Sequence, residues 1–137
     1  MILVPVVSGG AGVTSVLGWG AGSIGSTITT RYLYPWYSEQ LAEVGEVGIR
    51  VPRRGVLKNL RILHTIPSGN GATISYIVRV GGLDSLVQVN LASTAVSGDN
   101  IIDSVNVLQG DLVSIKVEKP LNILSSPRNV VVTAEFV

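Results

Sequence analysis

The chain has no cysteine. That absence excludes disulfide scaffolds, zinc–thiolate centres and cysteine nucleophiles together. It has a single histidine, His64, so any triad, acid–base pair or metal site built on imidazole would rest on that residue alone. Charge is scarce as well, at 14% of residues against roughly a quarter in ordinary soluble domains. Ten basic and nine acidic residues leave a net charge of +1, which gives no electrostatic footprint for nucleic acid or an anionic membrane. No run approaches the roughly 20 uninterrupted apolar residues of a spanning helix. A secretory leader is not expected either: Met1-Ile2-Leu3-Val4-Pro5 lacks a basic region, and Gly9, Gly10 and Gly12 interrupt any apolar one. Membrane, nucleic-acid and cofactor partners are therefore not expected.

What is present is apolar. Hydrophobic residues make up 46% of the 137, and the mean hydropathy is +0.47. The length suits one domain with a real core. A chain with so few charges cannot cover its own surface with them, so burial against other subunits is expected, resting on packing and backbone pairing.

Residues 1–26 read as an extended, glycine-rich apolar N-terminal arm, with no charge before Arg31. Val4, Val6, Val7, Val13, Val16, Leu17, Trp19 and Ile24 interleave with its glycines. A solvated linker would not carry that much apolar surface. Ordering such a backbone costs on the order of 1–2 kcal/mol per residue, and contacts with neighbouring subunits are expected to offset that cost.

Residues 27–137 read as the body. Short β-branched or alternating stretches over 27–34, 47–51, 56–64, 72–80, 85–92, 101–108, 112–118 and 129–137 are separated by turn signals such as Pro67-Ser68-Gly69-Asn70-Gly71, Gly81-Gly82 and Gln109-Gly110-Asp111. A single helical turn is expected over Ser38–Ala42. No segment supports a long amphipathic helix, which excludes βαβ units. The fold class is all-β: an antiparallel β-sandwich or jelly roll of about eight strands with an extended N-terminal arm. Val130-Val131-Val132 is apolar on both faces, which points to burial of the second face in an oligomer.

The candidate chemistry is thin. His64 reads as a strand-end residue at the surface or at a subunit contact. Asp99, Asp103 and Asp111, with Asn100, form the one acidic cluster worth weighing for calcium, but their spacing matches no EF-hand, and such residues in loops ordinarily make turns. Arg50, Arg53, Arg54, Lys58 and Arg61 concentrate basic charge; a salt-bridge network with Glu39, Glu43 and Glu46 just upstream, or a subunit contact, is the expected role, with a phosphate-binding patch as the alternative. Gly18-Trp19-Gly20-Ala21-Gly22 lacks the strand–helix unit of a dinucleotide loop and counts as arm. Tyr32, Tyr34, Trp36 and Tyr37 flank Pro35 where arm and body join; packing or interface anchoring is the expected role, with sugar stacking as the alternative. No catalytic, cofactor or metal residue is assigned, and the chain is not expected to be an enzyme. The candidate assembly residues are Val4, Val6, Val7, Val16, Trp19, Tyr32, Tyr34, Trp36 and Tyr37.

Four stretches carry a resemblance: Arg31-Tyr32-Leu33-Tyr34-Pro35, Val51 to Leu60, Ile74 to Gly82, and Val107 to Ile115 with its Gly110-Asp111 turn. Their order resembles structural proteins of tailed bacteriophages. The Gly-Asp turn and the closing strand ending in Phe136 also resemble the trimeric jelly rolls of the tumour necrosis factor and complement globular-head type. The resemblance covers roughly residues 27 to 137. It implies a virion protein, expected to be a capsid decoration or cement protein, homotrimeric and bound to the major capsid protein or other virion subunits. The alternative is a receptor- or glycan-binding module of a head fibre, tail or baseplate.

Overall fold

In a computed structural model, the structure describes residues 14–25, 29–121 and 125–137. Among the described residues ten strands run in chain order: β1 (Ser15–Ser23), β2 (Thr30–Tyr32), β3 (Tyr34–Pro35), β4 (Ile49–Arg50), β5 (Gly55–Leu63), β6 (Ile74–Val80), β7 (Leu83–Leu91), β8 (Ser97–Val107), β9 (Leu112–Glu118) and β10 (Arg128–Phe136). They form two antiparallel five-stranded sheets. Sheet A has the order β3-β1-β10-β5-β8; sheet B has the order β2-β9-β6-β7, with β4 also pairing with β9. Leaving aside the two-residue strands β3 and β4, the remaining eight stand as first-eighth-third-sixth and second-seventh-fourth-fifth. That is a jelly roll, with two Greek keys closing on each other.

Alternation produces the core. Trp19 and Ala21 of β1, Val130, Val132, Ala134 and Phe136 of β10, and Leu57, Leu60 and Ile62 of β5 point inward from sheet A. Ile74, Tyr76 and Val78 of β6, Val87, Val89 and Leu91 of β7, and Val113, Ile115 and Val117 of β9 meet them from sheet B. The Trp19 indole spans the layers, its Nε1 donating to the Val113 carbonyl at 3.3 Å.

Three sequence expectations change. The arm does not extend to residue 26: Ser15–Ser23 is an internal strand of sheet A, pairing with β10 from Ser15↔Phe136 to Ser23↔Arg128. Trp19, expected in an intersubunit contact, is instead fully buried in the chain's own core. Its place is set by period two, because Trp19 and Ala21 face inward while Gly18, Gly20 and Gly22 face out. Second, Ser38–Ala42 forms no helical turn, and no helix occurs among the described residues. That segment runs along β1 instead, through Gly22 N to Gln40 O and Ala42 N to Ser23 O. Third, β8 begins at Ser97, ahead of the expected 101, because Ser97–Asn100 pairs with Leu63–Leu60 of β5. Val4, Val6 and Val7 lie outside the described residues.

Candidate functional site: an apolar face on sheet A

The outward glycines of β1 make room for the segment after β3. A Cβ on Gly20 would stand 2.4 Å from the Tyr37 ring, and one on Gly22 would stand 1.9 Å from the Glu39 carbonyl oxygen. Only glycine permits so close an approach. Trp36 sits at the apex of a three-residue turn: Tyr37 N donates to Pro35 O at 2.9 Å, Trp36 N donates to Gly18 O at 2.7 Å, and Trp36 has φ 69°. That left-handed backbone is strained for a bulky residue. The turn nevertheless holds the Trp36 side chain outward, 60% exposed.

This aromatic pair continues into an apolar stripe. Gly20 is opposite Val131, and Val131 is opposite Leu63, so Tyr37, Val131 and Leu63 follow one another across three strands. All three are exposed, as is Val16 nearer the start of β1. Val131 is the outward residue of the doubly apolar Val130-Val131-Val132 run. Leu63 belongs to the same stripe, although the sequence alone did not mark it. Its signal was available: β5 alternates after Leu60, which puts Leu63 on the face opposite Ile62.

The remaining candidates separate. Tyr32 lies on the outer face of sheet B, with the Arg79 guanidinium 6.0 Å from its ring centre. The single proton of the Tyr34 hydroxyl is shared between two acceptors, Leu41 O at 2.8 Å and Glu43 Oε1 at 2.9 Å; desolvation, then the hydrogen bond to Glu43, raises its pKa. Of the nine expected assembly residues, Val16, Trp36 and Tyr37 therefore share the exposed face of sheet A.

His64 is not at the surface. It is buried, with Nε2 3.1 Å from Ala95 O and Nδ1 3.0 Å from the Tyr76 hydroxyl. A carbonyl only accepts, so Nε2 carries the proton and Tyr76 donates to Nδ1. Desolvation lowers the His64 pKa, partly opposed by the Ala95 carbonyl, and burial pushes that of Tyr76 far above its ordinary value. The imidazole thus joins the end of β5 to β6 as a neutral group.

The basic stretch finds partners other than those expected. Arg61 pairs with Asp99 at 3.2 Å, Arg50 donates to Gly110 O, and Arg53 lies 4.5 Å over the Phe136 ring. Glu46 instead binds Arg79 at 3.1 Å and accepts from Ser114 Oγ. Asp84 bridges Arg79 and Lys116, both at 2.7 Å, and the Lys116 hydrogen bond leads in lowering its pKa. The acidic trio is dispersed: Asp99 faces Arg61, Asp103 accepts from Asn100, and Asp111 accepts from Leu108 N. Among the described residues, no three histidine, cysteine or acidic side chains gather as metal ligands.

No family model, curated protein or solved structure matches this chain. The exposed face is thus interpreted from its own chemistry. It presents two aromatic and several aliphatic side chains side by side and can exclude water from a complementary surface.

Proposed function

We propose that this protein is a structural subunit that assembles with copies of itself and with a larger particle, as a capsid decoration or cement protein of a bacteriophage virion. The observation that carries the reading is Trp36. A strained left-handed residue costs on the order of 1–3 kcal/mol, and here that conformation holds an indole out in water beside Tyr37, Val131 and Leu63. Such an arrangement supports an anchor for a partner surface. The low charge content and the resemblance to tailed-phage structural proteins support the virion setting. Association would draw on buried apolar area, worth roughly 25 cal/mol per Å² before the entropic cost of binding is subtracted.

Light scattering on the full-length protein tests this reading, with cosedimentation on particles that lack it. A trimer that binds such particles, and a monomeric, non-binding Val131→Lys/Leu63→Lys variant, are the expected results. A wild-type monomer indifferent to particles would overturn it. The adjacent exposed indole and phenol of Trp36 and Tyr37 also suit stacking on a sugar. A rise in melting temperature with soluble monosaccharides or cell-wall fragments, abolished by Trp36→Ala, would favour a glycan-binding module instead.

A further inference from the structure

The sandwich has a second apolar surface, on its open side. β7 and β8 are the last strands of their sheets there; β7 pairs with β6 and β8 with β5, and neither has another strand partner among the described residues. Between them lie two clefts of about 590 and 750 Å³. Unpaired N–H and C=O groups along such an edge are a template for another strand.

The edge of β8 is shaped unusually. Lys58 pairs with Ser104 and Leu60 with Asn100, so Ile101, Ile102 and Asp103 stand opposite Asn59 alone. The Asn100 carboxamide holds this bulge: its oxygen accepts from Ile102 N and Asp103 N, and its nitrogen donates to Gln88 O of β7 and to Asp103. Bulges commonly blunt an edge. This one pushes Ile102 outward, 89% exposed, with Ile101 beside it and Leu83 and Leu86 on β7. An edge meant only to repel neighbours would carry charge at these positions.

We propose that this edge accepts residues 1–13 of a second copy of the chain, added as an antiparallel strand beside β8. The inference rests on the assembly reading above and names the surface through which the N-terminal segment would act. Residues 1–13 contain no charged residue and include Ile2, Leu3, Val4, Val6 and Val7, which suits a cleft rimmed by isoleucine and leucine. At roughly 3.3 Å per residue, thirteen extended residues reach about 43 Å and eleven about 36 Å, so the segment is long enough to span β8, pairing on either side of the bulge, where Asn100 already holds Ile102 N and Asp103 N. Pro5 has no N–H to donate, which an added outermost strand tolerates.

Strand direction selects the second copy. Ser15, Phe136, Leu57 and Val105 form one row across sheet A, and β1 runs away from that row while β8 runs toward it. A chain's own first residues, folded back from Ser15 along β8, would lie parallel to it. Every strand pair in both sheets is antiparallel, and antiparallel pairs bond more favourably per residue. A segment from another copy is free to take that direction.

The absence of native cysteine makes the test clean. Full-length chains carrying Ile2→Cys, Val4→Cys or Val6→Cys are each mixed with a full-length Ile102→Cys chain under air oxidation. The expected product is a disulfide-linked pair of chains, formed about tenfold or more above a Val44→Cys control, because docking raises the local concentration of the two thiols. Adding Leu86→Asp to the acceptor should return the yield to control level. An oligomer that persists, and that crosslinks through Val131→Cys but at none of the three arm positions, overturns this inference and leaves the assembly reading standing. A chain carrying both Val6→Cys and Ile102→Cys that closes only on itself overturns the choice of a second copy. A monomeric wild type overturns this inference, and one that is also indifferent to particles overturns both readings.

Discussion

The outer faces of the two sheets are built to opposite ends. On sheet B, Arg79, Lys116, Asp84, Glu46 and Glu118 satisfy one another, Arg79 lies beside the Tyr32 ring, and Ser114 is fully buried beneath them. On sheet A, β1 and the segment over it carry glycines, Val16 and the Trp36–Tyr37 pair, and β10 adds Val131; charge on this face is limited mostly to Glu135, opposite Val16, and to Lys58, Arg61 and Asp99 on β5 and β8. A chain with so few charges has spent most of its polar pairing on one face. The other keeps an apolar surface that water solvates poorly.

The largest expected effect lies beneath both faces. Trp19→Ala removes a fully buried indole that links the sheets and should cost about 3–5 kcal/mol in urea unfolding, whereas Trp36→Ala should cost far less. Similar losses for both tryptophans would erase the distinction between core and interface. On the charged face, Arg79→Ala leaves Glu46 without its cation and should lower stability by about 1.5–3 kcal/mol, with no change in oligomeric mass. A change in mass would mean that sheet B also takes part in assembly.

The join between the sheets should respond to pH through His64. Because its pKa is lowered by folding, its contribution is fully present above the unfolded value of about 6.5 and is lost as pH falls through the folded value. Urea midpoints measured from pH 7 to 5 should fall, by at most about 1.4 kcal/mol per pH unit from this group. His64→Gln should flatten that slope while lowering the plateau. The smallest stability effect falls on the apolar face: Trp36→Gly relieves the left-handed strain and should shift unfolding by about 1 kcal/mol or less, yet abolish oligomerisation. Loss of both together would make Trp36 a structural residue only.

Much of the body was legible because alternation and turn chemistry are local. β9 falls at 112–118 as the pattern predicts, and β6, β7 and β10 fall within two residues of their expected bounds. β1 was obscured because three of its nine residues are glycine, a residue depleted in strands. Its Leu17–Trp19–Ala21 alternation was present, but the reason for its glycines is the close passage of residues 36–39, which no local pattern reveals. Ser97-Gly98-Asp99-Asn100 has loop composition and is a strand only because β5 lies beside it. His64 was misplaced for the same reason: its partners, Tyr76 and Ala95, come from other strands. Within the candidate site, Trp36, Tyr37 and Val131 stood out by type, while their union with Leu63 depended on register.

The pairing of β1 with β10 also sets a schedule. Among the described residues, the earliest strand of sheet A takes as its central neighbour the latest, so sheet A cannot close until residues 128–136 have left the ribosome. At synthesis rates of about 5–20 residues per second, an uncharged strand bearing Trp19 waits on the order of 5–20 s for its mate. During that interval the nascent chain is a natural client for a chaperone.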